Sequence, residues 1–252
     1  MVPLSHSRTF ALSHFFLHPE IVRMATLTWH GHSCFTLETD EGTRILIDPW
    51  LDDNPSADIK AKDVGKVDYI LVSHGHSDHF DDCIPIAKKT GATVISTFEL
   101  VGFCQEHGVK NGHGMNIGGA YLFDFGRVKL TPALHTGSIS GDKHGTHTTD
   151  CSGFLISLNS GQRIYHAGDT ALIMDMQLLR GSVDVAILPI GDNFTMGPED
   201  AARAVEMIEP DVVVPMHYNT FPLIEQNPEG FRQMVGDRAR VEILQPGGVL
   251  TV

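Results

Sequence analysis

The chain has 252 residues, of which 42% are hydrophobic and 19% are charged, a balance typical of a globular protein with a sizeable core. Its formal net charge of −13 disfavours general binding to nucleic-acid backbones, and no apolar run is long enough to span a bilayer. The four cysteines are scattered without a Cys-x-x-Cys pair, which disfavours a thiolate zinc site and a disulfide scaffold. We therefore expect a cytoplasmic protein with free thiols and no nucleic-acid partner, and the sequence leaves homo-oligomerisation open.

The first 23 residues differ from the rest of the chain because they show no hydrophobic period. Arg8 precedes a short apolar patch, but Ser13 and His14 interrupt it and no small-residue cleavage site follows. We predict that residues 1–23 are a disordered extension or the product of an upstream start codon, and that residues 24–252 form a single domain. His6, His14 and His18 are therefore not expected to bind metal.

From residue 24 onwards, short strand patterns alternate with helical ones, which predicts an α/β domain. Strands are predicted at 25–29, 34–38, 44–47, 67–73, 92–95, 121–125, 127–131, 153–158, 163–166, 183–189, 211–216, 240–244 and 249–252. Helices are predicted at about 81–91, 99–107, 171–180, 198–208 and 229–235. Val67-Asp68 and Val183-Asp184 each open an apolar strand that ends at a polar loop, which is a weak indication of two similar halves.

Four candidate metal ligands follow the predicted strand 67–73, in the stretch His74-Gly75-His76-Ser77-Asp78-His79. His74 and His76 are alternate residues, so an extended backbone places both rings on the same side. A cluster of imidazole and carboxylate groups without thiolate suits Zn, Mn or Fe(II). A histidine-rich surface loop is the alternative, and the position directly after a buried strand disfavours it.

Three further candidate ligands, His135, Asp169 and His217, each follow another predicted strand. Strand ends converge at one edge of α/β folds, where such proteins place their sites. A single histidine at a strand end is more often structural than a ligand. Together with the cluster at 74–79, however, these three positions predict one composite metal site.

The chain at this point resembles the UPF0173 family of metal-dependent hydrolases, within the metallo-β-lactamase fold superfamily. That family is related to the ascorbate-6-phosphate lactonase and N-acylphosphatidylethanolamine phospholipase D branches. The likeness spans residues 24–252. It is carried by the ligand set above and by the segments Trp29-His30-Gly31-His32-Ser33, Tyr165-His166-Ala167-Gly168-Asp169-Thr170, Leu188-Pro189-Ile190-Gly191-Asp192-Asn193 and Pro215-Met216-His217-Tyr218-Asn219.

The resemblance implies a four-layer αββα sandwich of two similar halves in one domain, with two divalent metal ions at one edge. It implies His74, His76 and His135 as ligands of one ion, and Asp78, His79 and His217 as ligands of the other, with Asp169 bridging. Zinc is the expected metal, with manganese or iron as alternatives. The implied reaction is attack by a metal-bound hydroxide on an ester, lactone or phosphodiester bond of a small molecule.

Supporting roles are also implied. Asp78 would orient the hydroxide as a catalytic residue, and Asp48 would hold a ligand histidine through its other ring nitrogen. His32 would line the pocket or stabilise a leaving group, or else would be a turn histidine bonded to the backbone. Asp192 and Asn193 would either reach the site or cap the following helix.

Two alternatives to hydrolysis remain open at this stage. The first is an iron-dependent redox enzyme of the same fold, similar to a persulfide dioxygenase, and the second is a non-catalytic metal-binding protein. The loop 136–152 is long enough to be functional, but its His144 and His147 are expected to be solvated. Metal ligands define a class of reaction, whereas the loops that would define the substrate carry no recognisable pattern.

Overall fold

The computed structural model describes residues 24–252, so the expectations for residues 1–23 lie outside the described residues. The strands are β1 (Thr26–Trp29), β2 (Phe35–Glu38), β3 (Arg44–Ile47), β4 (Tyr69–Leu71), β5 (Thr93–Thr97), β6 (Gly112–Met115), β7 (Ala120–Phe123), β8 (Gly126–Pro132), β9 (Ser152–Leu158), β10 (Arg163–His166), β11 (Val185–Pro189), β12 (Val212–Met216), β13 (Arg240–Val241) and β14 (Val249–Thr251). The helices are α1 (Ser77–Phe80), α2 (Cys83–Thr90), α3 (Phe98–Glu106), α4 (Pro198–Ile208) and α5 (Pro228–Val235).

The strands form two seven-stranded sheets with similar topology. The first has the order β14-β1-β2-β3-β4-β5-β6, and the second has the order β13-β12-β11-β10-β9-β8-β7. In each sheet an antiparallel region joins a parallel region, since β3 pairs in parallel with β4 and β10 pairs in parallel with β11. The prediction of two similar halves is therefore confirmed at the level of strand order.

The Val-Asp pairs occupy equivalent positions in the two halves. Asp68 precedes β4, and its carboxylate accepts the backbone N–H of Arg44 at the start of β3. Asp184 precedes β11, and its carboxylate accepts the backbone N–H of Arg163 at the start of β10. Each aspartate thus connects the start of a parallel strand to the strand beside it. This shared contact explains why Val-Asp occurs at both positions in the sequence.

Helices cover the outer faces of the two sheets. One apolar core lies between the sheets and continues under α4 and α5, with Phe35, Phe154 and Phe231 fully buried in it. A second core lies between the first sheet and helices α2 and α3, where Ile86 and Leu100 are buried. These layers form the predicted four-layer αββα sandwich, and they bring the ends of β3, β4, β10, β11 and β12 to one edge.

Some elements differ from the prediction, since the strand predicted at 67–73 is assigned only over Tyr69–Leu71 and neither β6 nor α1 was predicted. Two further differences have a local physical cause. The helix predicted up to Arg180 is a 3₁₀ helix, Met174–Leu179, whose buried Met176 and Leu179 match its three-residue turn. The strand predicted at 240–244 pairs only over Arg240–Val241. Glu242 donates its N–H to Val213, and the next bond of this ladder would need an N–H from Pro215, which proline lacks.

Two expectations from composition can be compared with residues 24–252. All four cysteines are buried free thiols, as expected from their spacing, and burial raises the pKa of Cys151 to about 12. In this part of the chain, no helix combines the length and the apolar character that crossing a membrane requires.

Candidate metal centre

The segment after β4 brings the first donor side chains together. His74 follows the strand, and His76 has extended backbone immediately before α1. Nε2 of His74 lies 3.0 Å from Nδ1 of His76, so the two rings converge as predicted. Gly75 between them touches the loop after His135, because a Cβ there would lie 2.6 Å from the carbonyl oxygen of Ser138. Only glycine allows this close approach.

His135, which follows β8, completes a first group of donors with His74 and His76. Its Nε2 lies 3.3 Å from Nδ1 of His76, and one donor atom of each residue lies within 4.8 Å of the others. With metal–nitrogen bonds of about 2.0–2.1 Å, two nitrogens on one tetrahedral ion are about 3.3 Å apart. The observed spacing therefore matches the geometry of a shared ion.

Asp169, which follows β10, lies beside both groups of donors. Its Oδ2 lies 3.6 Å from Nε2 of His135, 3.3 Å from Nε2 of His79 and 3.0 Å from Nε2 of His217. A carboxylate that contacts donors of both groups occupies the position that a bridging ligand requires. The four strands that precede these side chains, β4, β8, β10 and β12, end at the same edge of the sandwich.

A second group of donors lies on the other side of Asp169. It contains His32, Asp78, His79 and His217, with one donor atom of each within 4.8 Å of the others. Oδ2 of Asp78 lies 3.8 Å from Nε2 of His217 and 3.1 Å from Nε2 of His32. The structure thus gathers all seven predicted ligands and adds His32 to their neighbourhood.

Several buried atoms of these side chains lack hydrogen-bond partners in the described chain, namely Nε2 of His79, Oδ1 of Asp169 and both ring nitrogens of His217. Each of the three residues is at most 2% exposed. A buried unpaired polar group costs roughly 1–3 kcal/mol, so four such atoms in one place fit a site that binds a cation. A donor set of imidazole and carboxylate without thiolate suits Zn, Mn or Fe, and the residues therefore fit the implied metals.

Asp48, at the end of β3, orients one histidine of each group. Its Oδ2 accepts the Nδ1–H of His79 at 2.8 Å and the hydroxyl of Ser73 at 2.7 Å. The Ser73 oxygen lies 3.0 Å from Nδ1 of His74 and, having given its own proton to Asp48, accepts the proton of that nitrogen. Each ring thus carries a proton on Nδ1, and Nε2 is the nitrogen that can bind a cation. The predicted contact of Asp48 is confirmed, whereas the role of Ser73 was missed.

His32 is fully buried and does not line the cavity described below. Burial lowers its pKa to about 3, so the ring is neutral and carries one proton. Its Nε2–H donates to Asp78, and its Nδ1 accepts the hydroxyl of Thr220 at 2.8 Å. The predicted contact of His32 with substrate stays a prediction, and this geometry favours a role in orienting Asp78.

The backbone is strained at three of these positions. His32, Asp48 and His217 have φ values of 54°, 46° and 56°, in the left-handed region that non-glycine residues rarely adopt. Such conformations cost about 1–3 kcal/mol each and persist only where surrounding contacts hold them. One such contact is the N–H of His217, which donates to the carbonyl oxygen of His32 at 3.1 Å. A Cβ at Gly191 would lie 2.2 Å from the carbonyl oxygen of His217, so close packing also holds this turn.

Opposite charges stabilise each other in the centre of the site. Burial acts to lower the pKa of His79, but the carboxylates of Asp169 and Asp48 raise it well above its usual value. Burial acts to raise the pKa of Asp169, but His217 and His79 hold it well below its usual range. A cation that binds Nε2 of His79 must replace a proton there, so metal binding is expected to release protons.

The donors open into a cavity of about 510 Å³ at the edge of the sandwich. Its lining combines the donors and other polar side chains with several large apolar side chains. The lining residues are Trp50, His76, Ser77, Asp78, His135, Thr136, Asp169, Phe194, His217, Phe221 and Leu223. None of the lining residues in the described part of the chain is Lys or Arg.

Other predicted candidates lie apart from the donors. His144 is exposed, and the ring of His147 packs against Phe103 of α3 with centroids 5.4 Å apart. Neither histidine lines the cavity. Asp192 does not cap α4, because the residue before that helix is Gly197 and no side chain caps it. Asp192 and Asn193 are both exposed and do not line the cavity either.

His166, at the end of β10, is a buried histidine outside the donor groups. Its Nε2–H donates to the carbonyl oxygen of Ser33 at 3.2 Å, and its Nδ1 accepts the N–H of Gly168 at 3.2 Å. Burial lowers its pKa, so the ring stays neutral in the folded protein at pH values where the unfolded chain protonates it. The ring links the loop that contains His32 to the turn that presents Asp169.

Because His166 is neutral in the folded protein, it should make the free energy of unfolding depend on pH. Below about pH 6.5 the unfolded chain binds a proton that the folded protein does not, so stability is expected to fall as pH decreases. In His166→Asn the slope of unfolding free energy against pH should be smaller, by up to about 1.4 kcal/mol per pH unit. Urea unfolding of both proteins between about pH 5 and pH 7, at one fixed metal concentration, measures the difference. Identical slopes would show that His166 is not held neutral.

Comparison with known proteins defines the class. Residues 26–217 match the model of a family described as a beta-lactamase superfamily domain. A UPF0173 metal-dependent hydrolase of Heliobacterium modesticaldum is 51% identical over 238 residues, which cover 91% of this chain and 98% of the relative. One from Enterococcus faecalis is 47% identical over 229 residues, covering 90% and 99%. The structure of Igni18, a metallo hydrolase from Ignicoccus hospitalis, is 37% identical with a TM-score of 0.81, covering 91% and 98%.

The sandwich, the edge cluster of histidines and aspartates, and these matches together define a metal-dependent hydrolase of the metallo-β-lactamase superfamily. Within that class, the chain belongs to the UPF0173 family. The predicted family, fold and enzyme class are therefore confirmed.

Proposed function

We propose that the protein uses two divalent cations to hydrolyse an ester, lactone or phosphodiester bond of a small molecule. The observation that carries this proposal is the convergence of seven histidine and aspartate donors in two groups, with Asp169 beside both. In this proposal His74, His76 and His135 hold one ion, and Asp78, His79 and His217 hold the other, with Asp169 as the bridge. Zinc is the expected metal, and manganese and iron are the alternatives.

When bound, two such cations lower the pKa of a shared water towards neutrality and polarise the bond to be cleaved. The protein's own part begins with Asp78, which lines the cavity and can accept the proton of the attacking water. Burial acts to raise the pKa of Asp78, but the hydrogen bond from His32 holds it below its usual range. Asp78 is therefore ionised, and His32 with Thr220 behind it fixes the direction of its carboxylate.

The remaining donors are prepared for cations by their environment. Burial lowers the pKa of His74, His76 and His135, so these rings are neutral at physiological pH. His74 is fully buried, whereas His76 and His135 are partly exposed and line the cavity. One side of this donor group therefore faces a substrate while the other side is sealed by protein.

Metal analysis of the purified protein tests the proposal together with turnover of a panel of esters, lactones, thioesters and phosphodiesters. We expect about two equivalents of transition metal per chain and hydrolysis of at least one panel class, lost on chelation and restored by metal. His74→Ala should lower both metal content and kcat/KM, the latter by more than the roughly 10–100-fold that follows loss of a ligand's supporting partner. His144→Ala, which changes an exposed histidine of the nearby loop, is the matched control and should alter neither.

Different results would support the other interpretations. Full turnover by metal-free protein would contradict the proposal. Oxygen consumption with thiol substrates, without hydrolysis of the panel, would favour the iron-dependent redox enzyme. Metal-replete protein that is inactive in both assays would favour a metal-binding protein without catalysis.

A further inference from the structure

The lining of the cavity contains large apolar side chains from three separate loops, which together we call the apolar wall. Trp50 follows β3, Phe194 follows β11, and Phe221 and Leu223 follow β12. Phe194 and Leu223 are 46% and 66% exposed, although such side chains gain about 25 cal/mol for each Å² of surface that is covered. Their concentration at one cavity indicates that the molecule bound there covers them.

This apolar wall begins directly beside the donors. The ring of His32, which contacts Asp78, lies 5.0 Å from the ring of Trp50 and 5.9 Å from that of Phe221, measured between centroids. Phe194 continues the wall outwards, with its ring centroid 6.3 Å from that of Phe221. An apolar group that rests on this wall is therefore attached close to the bond that is cleaved.

The charges of the lining bear on whether the substrate carries a negatively charged group. Among the described residues that line the cavity, the charged groups outside the histidines are the carboxylates of Asp78 and Asp169. Ser77 and Thr136 are the uncharged polar side chains of the lining. Sites that recognise phosphate groups usually supply Arg or Lys for the oxygens that metal ions do not hold. An uncharged carbonyl compound needs no such partner.

We infer that the substrate is an uncharged carboxylic ester or lactone with an apolar acyl chain, an inference that rests on the proposed function. The carbonyl group lies at the donors, and the chain covers Phe194, Phe221, Leu223 and Trp50. Specificity then comes from the chain length of the acyl group, because each covered methylene contributes to transition-state binding. Phe194 and Leu223, the most exposed side chains of the wall, offer the most surface for the chain to cover.

A series of p-nitrophenyl esters with a constant leaving group tests this inference on the metal-replete protein. We expect kcat/KM to rise from acetate through butyrate to octanoate, by up to about fourfold for each methylene that is covered. Bis(p-nitrophenyl) phosphate, a diester with the same leaving group, should be hydrolysed more slowly than the octanoate. Phe194→Ala and Leu223→Ala should flatten the dependence on chain length without changing metal content. Leu178→Ala is the matched control, because Leu178 is 83% exposed on the 3₁₀ helix and does not line the cavity.

Different results would contradict the apolar acyl substrate and the metal-dependent hydrolysis. Equal kcat/KM along the ester series, or faster cleavage of the phosphodiester, would overturn the apolar acyl substrate and leave metal-dependent hydrolysis intact. Calorimetric titration with 2-octanone, an uncharged ketone that cannot be hydrolysed, is independent of turnover. Binding that Phe194→Ala weakens and Leu178→Ala does not would support the apolar wall even if no ester were cleaved. Absence of binding by metal-replete protein would overturn it.

Discussion

Replacing Asp169 by asparagine is expected to abolish hydrolysis and to release metal from the protein. The carboxylate lies 3.0 Å from Nε2 of His217 and 3.3 Å from Nε2 of His79, and it is also the contact to His135 in the other donor group. The amide removes a negative charge from the centre of the site and leaves a single oxygen. We expect kcat/KM to fall by well over the roughly 10–100-fold that loss of a supporting partner causes. Metal content by mass spectrometry and kcat/KM on the best panel substrate measure the two effects.

The controls for Asp169→Asn separate chemistry from folding. Asp192→Asn makes the same change at an exposed aspartate that does not line the cavity, and it should keep wild-type metal content and activity. Circular dichroism should show native secondary structure for both variants, because the asparagine has the size of the residue it replaces. Two equivalents of metal together with wild-type kcat/KM in Asp169→Asn would refute the bridging role.

Asp48→Asn is expected to weaken both of the proposed metal positions, although Asp48 belongs to neither donor group. Its carboxylate accepts protons from His79 and from Ser73, and Ser73 in turn holds His74. The other oxygen, Oδ1, accepts the backbone N–H of Ser73 at 2.7 Å. Because an asparagine has one oxygen, its NH₂ group would point either at this N–H or at the two groups that donate to Oδ2. The left-handed backbone at this position suits asparagine, so the fold should persist. We expect affinity for both ions to fall by about 10–100-fold, measured by competition with a chromophoric chelator.

Two variants make this result specific. Asp68→Asn changes the carboxylate that accepts the backbone N–H of Arg44, a contact that asparagine oxygen can keep, and it should leave metal affinity unchanged. Ser73→Ala removes only the link from Asp48 to His74 and should weaken the group of His74 more than that of His79. If Asp48→Asn holds both ions with wild-type affinity, the tautomers of the two rings are set by something other than this aspartate.

The donor positions could be predicted because each donor residue follows a predicted strand within a few residues. His74, His76, Asp78 and His79 follow one strand within a few residues, and His135, Asp169 and His217 each follow another. Since strand ends meet at one edge of such sandwiches, sequence order was enough to bring them together. Their assignment to two particular ions remains a prediction.

The supporting residues could not be predicted in this way. Ser73 precedes His74 in the sequence, but its role depends on Asp48 of the neighbouring strand, which only the fold places beside it. Thr220 acts on His32 across most of the chain, and no spacing rule connects them. The apolar wall of the cavity could not be predicted for the same reason, because Trp50 and Phe194 come from different loops that only the fold brings together.

The short β13 illustrates a different limit of sequence reasoning. The segment 240–244 has the composition of a strand, but the length of a strand also depends on its partner. Pro215 in β12 cannot donate the hydrogen bond that would extend the pairing, and this information lies far from the segment itself.

The equivalence of the two halves has a consequence for the order in which the centre can be assembled. The first half supplies His74, His76, Asp78 and His79, and the second half supplies His135, Asp169 and His217. During synthesis the ribosome completes the first sheet's donors long before β12 and His217 emerge. A cation held only by the early donors would lack its bridge and remain exchangeable. Under the proposed two-ion function, stable metal binding is therefore expected only after the second half has folded against the first, and the ions would then connect the two sheets.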